Sequence, residues 1–177
     1  MLSITYSIAV LTAEQKKTRA MFDRLQHRSD AGSGSCKRES GIDEWQTTVG
    51  LLSQFEQHCR ARRFAMHFIP VLRHASARTA QVLAEHEALS AKIAGTLGSV
   101  HSFLALNGGM PSKRSTKLPA AIKRCLKLME ERLEMEEQQI LAIVLELLPP
   151  ADWFPIAATF LSIDTQARRN GAWHLSA

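Results

Sequence analysis

The sequence predicts an all-α fold: an antiparallel up-and-down four-helix bundle with a short extra helix at its C-terminal end. Three observations carry this. Leu, Ala, Glu, Lys, Arg and Gln dominate the 177 residues, while only one Tyr and three Trp are present, a composition that favours helices over sheets. Two stretches rich in Gly, Ser and Pro, SDAGSGSCKRESG (29–41) and NGGMPSKRSTKLP (107–119), read as loops, and a shorter break, RHASART (73–79), follows Pro70. Four long segments remain, and in the last of them apolar residues recur at Ile122, Leu126, Met129, Leu133, Ile140, Val144 and Leu147. That 4-3 step is the seam of a helix bundle, and four helices of similar length joined by modest loops imply antiparallel neighbours.

The first helix is expected over about Ile4–His27. The second is expected over Asp43–Leu72, with Asp43 as N-cap. The third runs over Ala77–Leu106. The fourth runs over Pro119–Leu148, with Pro119 near its first position and Pro149-Pro150 stopping it. A fifth, shorter helix is expected over Asp152–Arg168. The chain is thus read as a single domain, with the bundle at about 4–148 and the C-terminal helix and tail at about 151–177. Trp153 should pack the tail segment over a bundle end, and Trp173 lies in the polar C-terminus.

Composition narrows the function classes. Apolar residues make up 45% of the chain, enough for a real core at this length. No apolar run approaches the ~20 residues of a membrane span. Residues 3–10 are mildly apolar but too short, and lack the basic leader of a signal peptide; a cytoplasmic setting is expected. The net charge of +5 is a mild bias. The basic runs RARR (60–63) and SKRSTK (112–117) lack interleaved aromatics, so they read as solvated faces or loops rather than a nucleic-acid surface. Cys36, Cys59 and Cys125 form an odd, scattered set without a CxxC, which argues against a disulfide framework or a zinc knuckle. Cys36 lies beside Lys37 and Arg38, a setting that lowers a thiol pKa. No Ser/His/Asp or Cys/His arrangement supports nucleophilic catalysis, so no enzymatic activity is expected.

One stretch resists a simple packing reading. In ERLEMEEQQILAIVLELLPPADW (131–153), helical spacing puts Leu133, Ile140, Val144 and Leu147 on one face, and Glu136 or Glu137 falls on that same face. The sequence also repeats. LTAEQ (11–15) resembles VLAEH (82–86), an offset of 86 − 15 = 71. FAMHFIPVL (64–72) resembles EEQQILAIVL from 136 onward, pairing Pro70 with Ala142 at 142 − 70 = 72. Two matches at nearly one offset suggest that helices one-two and three-four are copies of one hairpin.

These repeated elements resemble the hemerythrin-like (HHE cation-binding) family, whose hairpins carry L-x-x-E-H on the first helix and H-x-x-x-E-E, followed by L-F-P, on the second. LTAEQ and LAEH match the first element. FEQHCRARRFAMHFIPVL and MEERLEMEEQQILAIVLELLPPADW match the second, and PPADWFPIAATF resembles the segment that follows the last bundle helix. The resemblance covers about residues 5–165. It implies one or two irons held inside the bundle by imidazoles and carboxylates from all four helices.

Carried over residue by residue, the resemblance finds most ligand slots substituted. The first-helix His slot holds Gln15. Counting back from Pro70 puts Arg60 in the second-helix His slot and Phe64 in its Glu slot. His86 keeps the third-helix slot. The fourth helix has Arg132 for His and keeps Glu136 (or, one residue on, Glu137). Arginine offers no lone pair to a metal. The expectation is therefore a lost di-metal site, no cofactor, and a rebuilt core in which Glu136 or Glu137 contacts at least one of Arg60, His86 or Arg132. Such a chain would serve as a non-enzymatic binding or sensory module for an unknown protein partner, and a homodimer is compatible with it. The alternative is an iron protein that senses or binds oxygen, nitric oxide or iron, or helps repair iron centres, through a reduced or relocated site. His58 or Cys59 with His86 and Glu137 would be the relocated ligands. A third reading has two arginines near the former cavity binding an anion.

Overall fold

The computed structural model describes residues 2–34, 42–73, 76–106 and 117–169. Among them every regular element is helical: α1 (Leu2–Gly34), α2 (Ile42–Ala61), α3 (Ile69–Leu72), α4 (Ala77–Leu106), α5 (Lys117–Met135), α6 (Leu141–Leu147) and α7 (Trp153–Arg169). No helix there is long and apolar enough to cross a membrane. Cys36, His74, Trp173, His174 and residues 112–116 lie outside the described residues, as does the side chain of Asp43.

Each long helix buries one face. On α1 the buried residues are Ser7, Leu11, Gln15, Thr18, Phe22 and Leu25, stepping by four and three. On α5 they include Leu118, Ile122, Cys125, Met129, Arg132 and Leu133. Ser76 starts α4: its hydroxyl oxygen accepts the backbone N–H of Thr79 at 3.1 Å, an N-cap arrangement. Leu148 ends α6 with ψ of 116°, because the ring of the following proline disfavours helical geometry in the residue before it. Trp153 then opens α7, buried as expected, and its indole N–H donates to the Leu148 carbonyl at 3.2 Å. Pro155 is tolerated in the first turn of α7, where no N–H is needed.

Two of the expected helices are interrupted. The segment expected as one helix over 43–72 ends as α-helix at Ala61, bends at Arg62 and passes through a π-helical turn, Phe64–Phe68, before α3. The segment expected over 119–148 passes through a second π-helical turn, Glu136–Ile140, between α5 and α6. Each turn closes with an i→i+5 bond, Ile69 N–H to the Phe64 carbonyl and Leu141 N–H to the Glu136 carbonyl. Pro70 cannot donate to the carbonyl four residues back, which favours the first break. The second occurs without a proline.

Side-chain contacts fix how the helices run. Thr18 meets His58 while Glu14 meets Arg63, so α1 and α2 are antiparallel. Ser53 meets His101 while Arg62 and His86 meet at Glu136, so α2 and α4 are antiparallel. His86 meets Glu136 and Ser90 meets Arg132, so α4 and α5 are antiparallel. α5 also packs on α1, and α7 lies along α1.

The apolar core falls into two parts. One gathers Phe22, Leu52, Phe55, Ile93, Ile122, Met129 and their neighbours. The other gathers Leu11, Phe64, Phe68, Ile140, Val144, Trp153 and Phe160. Along α1 the residues between Leu11 and Phe22 that face inward are Gln15 and Thr18. A polar layer therefore separates the two cores.

Candidate functional site

The polar layer is built from one or two side chains per helix. Glu56 projects from α2, two turns before the bend. Arg62 sits at the bend itself. His86 and Ser90 lie one turn apart on α4, and Arg132 and Glu136 lie one turn apart across the junction of α5 with the second π turn. Glu56, Arg62, Arg132 and Glu136 are all at most 5% exposed. Charges so deeply buried are tolerable only when paired and hydrogen-bonded.

The pairing is close to complete. Arg132 holds Glu56 through both terminal nitrogens, Nη1 to Oε1 at 3.1 Å and Nη2 to Oε2 at 2.7 Å, the two-pronged geometry that matches a carboxylate. Arg62 donates through Nη2 to Glu136 Oε2, and His86 Nε2 lies 2.8 Å from the other oxygen, Oε1. An ionised carboxylate only accepts, so Nε2 is the nitrogen that carries the proton. The Nε of Arg132 stands 4.0 Å from Glu136 Oε1, too far to hydrogen-bond, and is left buried without a hydrogen-bond partner. Two guanidinium and two carboxylate charges cancel within the layer.

Burial alone would raise the Glu136 pKa. The His86 hydrogen bond and the Arg62 guanidinium outweigh it and hold the carboxyl below its ordinary value of 4.5. Arg132 is pushed the other way by burial, and its Glu56 hydrogen bond restores and raises its pKa. Burial pushes the Cys59 thiol up to about 11 and the Cys125 thiol up to about 12. His58 is lowered by burial and by the Arg62 charge.

The positions named from sequence separate into those the fold gathers and those it does not. His86, Arg132 and Glu136 converge: of the contacts expected of Glu136 or Glu137 with Arg60, His86 or Arg132, the one between Glu136 and His86 is present. Phe64 is buried in the second apolar core. Gln15 is buried as well, with its amide nitrogen unpartnered. Arg60 does not enter the layer: its side chain is 61% exposed and reaches Glu56 from outside. Glu137 points away from Glu136 and pairs with Arg19 of α1 at 2.7 Å. His58 turns to Thr18 at 3.3 Å, while Cys59 packs into the first apolar core. Among the described residues no group of three or more His, Cys, Asp and Glu side chains is placed to hold a metal ion. Both terminal nitrogens of Arg132 are committed to Glu56, which leaves the arginine pair expected to bind an anion without its inner member.

Two participants escaped sequence reasoning. The RARR run, expected as a solvated face, is split: Arg60 is exposed, Arg62 is buried on Glu136, and Arg63 bonds Asp164 of α7. Counting back from Pro70 with an uninterrupted helical period selects Arg60. The π turn and the bend add residues to the turn, and Arg62 faces inward instead. Glu56 carried a usable signal, since at 49, 52, 56 and 59 it continues the buried face of α2.

Compared with known protein families, curated proteins and solved structures, the chain finds no match in any of the three.

Proposed function

We propose that this chain is an antiparallel four-helix bundle of the hemerythrin-like type that acts as a non-enzymatic binding or sensory module, with arginine guanidiniums standing where a metal-bearing ancestor held its cations. The observation that carries this reading is the placement of Arg62 and Arg132 against Glu136 and Glu56 in a closed layer between two apolar cores. A metal centre would put cations at the mid-height of a bundle, ringed by carboxylates and imidazoles. Here carboxylates and an imidazole are ringed around guanidiniums instead.

The duplication supports the same descent. The two π turns begin at residues 64 and 136, an offset of 136 − 64 = 72, the offset that pairs Pro70 with Ala142. Within this scheme Arg60 corresponds to Arg132 and Phe64 to Glu136, so the two hairpins contribute differently, one an apolar plug and the other the surviving acid.

The donor set does not suit a di-iron centre. Glu136 already accepts from Arg62 and His86, and a divalent cation beside Arg62 and Arg132 would meet repulsion in a medium of low dielectric. Elemental analysis and an absorption spectrum of aerobically purified protein test the proposal. The expected result is metal well below one equivalent and no oxo-bridge band. Two equivalents of iron with that band would reject it in favour of the iron-protein reading.

A further inference from the structure

Away from the charge layer, α1 and α2 leave a groove between them of about 230 Å³. It is formed by residues 21, 24, 25 and 28 of α1 against 51, 54 and 55 of α2, the spacing of a single face on each helix. The groove has two chemistries. Leu25 and Phe55, both part of the first apolar core, make its floor, and half-buried Met21 and Leu51 make its walls. Arg24 and Arg28, one turn apart and exposed, make its rim. A separate cleft on the far side of Arg28, against Trp45, has a free volume of only about 10 Å³.

The arginines are the informative part. Arg19, Arg60, Arg62, Arg63, Arg73 and Arg132 each hold a carboxylate, whereas exposed Arg78 and Arg124 hold none among the described residues and stand alone on other helices. Arg24 and Arg28 have neither an ion pair nor a hydrogen bond among the described residues, and Glu44 beyond Arg28 forms no ion pair with it. Two adjacent guanidiniums over an apolar floor repel each other and complement an anion with an apolar tail. The volume is below the ~300–1,000 Å³ of pockets for larger ligands, which fits one short chain.

We propose that this groove binds a medium-chain amphipathic carboxylate, the carboxylate held by Arg24 and Arg28 and the tail laid over Leu25 and Phe55 between Met21 and Leu51. This site is independent of how the charge layer is read.

Titration of the full chain with decanoate, followed by NMR, tests it. The expected result is saturable shifts of the Met21, Leu25 and Leu51 methyl signals. The double variant Arg24→Ala/Arg28→Ala, shown by its melting temperature to be folded, should weaken binding by about tenfold or more, as expected for lost charge-assisted hydrogen bonds. Decyltrimethylammonium, with the same tail and the opposite head, should leave these signals unmoved. Equal binding of the cation, unchanged affinity of the double variant, shifts confined to other surfaces, or no binding would each overturn the proposal.

Discussion

Glu136 keeps its charge in a site nearly closed to water because two donors reach it from two other parts of the chain. Its pKa lies below 4.5 in the folded protein, so the unfolded chain takes up a proton first as pH falls. The stability it contributes is fully present above about pH 4.5 and is lost as pH drops through the folded value. His58, lowered from 6.5, adds a loss of its own that begins as pH falls through its unfolded value. Glu136→Gln should lower stability at neutral pH by about 3–5 kcal/mol, since it leaves Arg62 buried and uncompensated. It should also flatten the decline below about pH 4.5. Urea unfolding from about pH 7 to about pH 3 measures both effects, and an unchanged acid limb in the variant would contradict the assignment. The cysteines give a second test at this scale. With thiol pKa values of about 11 and about 12, Cys59 and Cys125 stay protonated and buried at neutral pH. Mass spectrometry after iodoacetamide treatment should find both unmodified in the native protein and both labelled after denaturation.

At the scale of elements, the π turns decide which residues face inward. The first is anchored from α1: Glu14 accepts the backbone N–H of Arg63 at 3.0 Å and of Phe64 at 3.2 Å. These amides fall at the bend, where helical carbonyl partners are lost. Glu14→Ala should cost about 1–3 kcal/mol and speed hydrogen exchange at the Arg63 and Phe64 amides, while Glu14→Gln, which keeps an acceptor, should cost less. Exchange rates that do not move in Glu14→Ala would show that the carboxylate is incidental. The same turns mark where sequence reading stopped working. The helical segments, the Pro149-Pro150 stop, the docking of Trp153 and an inward acid at 136 or 137 follow from local spacing and from proline geometry. The choice of Arg62 over Arg60 does not, because one bend and one π turn shift the facing residue, and Pro70 favours a break without fixing which arginine turns inward. Nor does spacing reveal that Arg132 would also cross to Glu56, 76 residues away in the chain, in addition to its 4.0 Å ion pair with Glu136 along its own helix.

At the scale of the whole molecule, a layer of paired charges and polar groups sits between two apolar cores. Such a layer is a poor source of stability, because desolvation offsets most of the attraction. It is a strong source of register, since sliding any helix by one turn would bury unpaired charges. The ordinary 4-3 apolar pattern, as on α1, leaves alternative registers open, and the layer closes them.

The central claim is that arginine, and not a metal, answers the buried acids. A double-mutant cycle at Arg62 and Glu136, read by equilibrium unfolding of Arg62→Met, Glu136→Met and the combined variant, tests it most directly. Each single substitution should cost about 3–5 kcal/mol and the combined variant far less than their sum, because it removes both buried charges together. Additive costs, or an Arg62→Met variant as stable as the parent protein, would contradict the account.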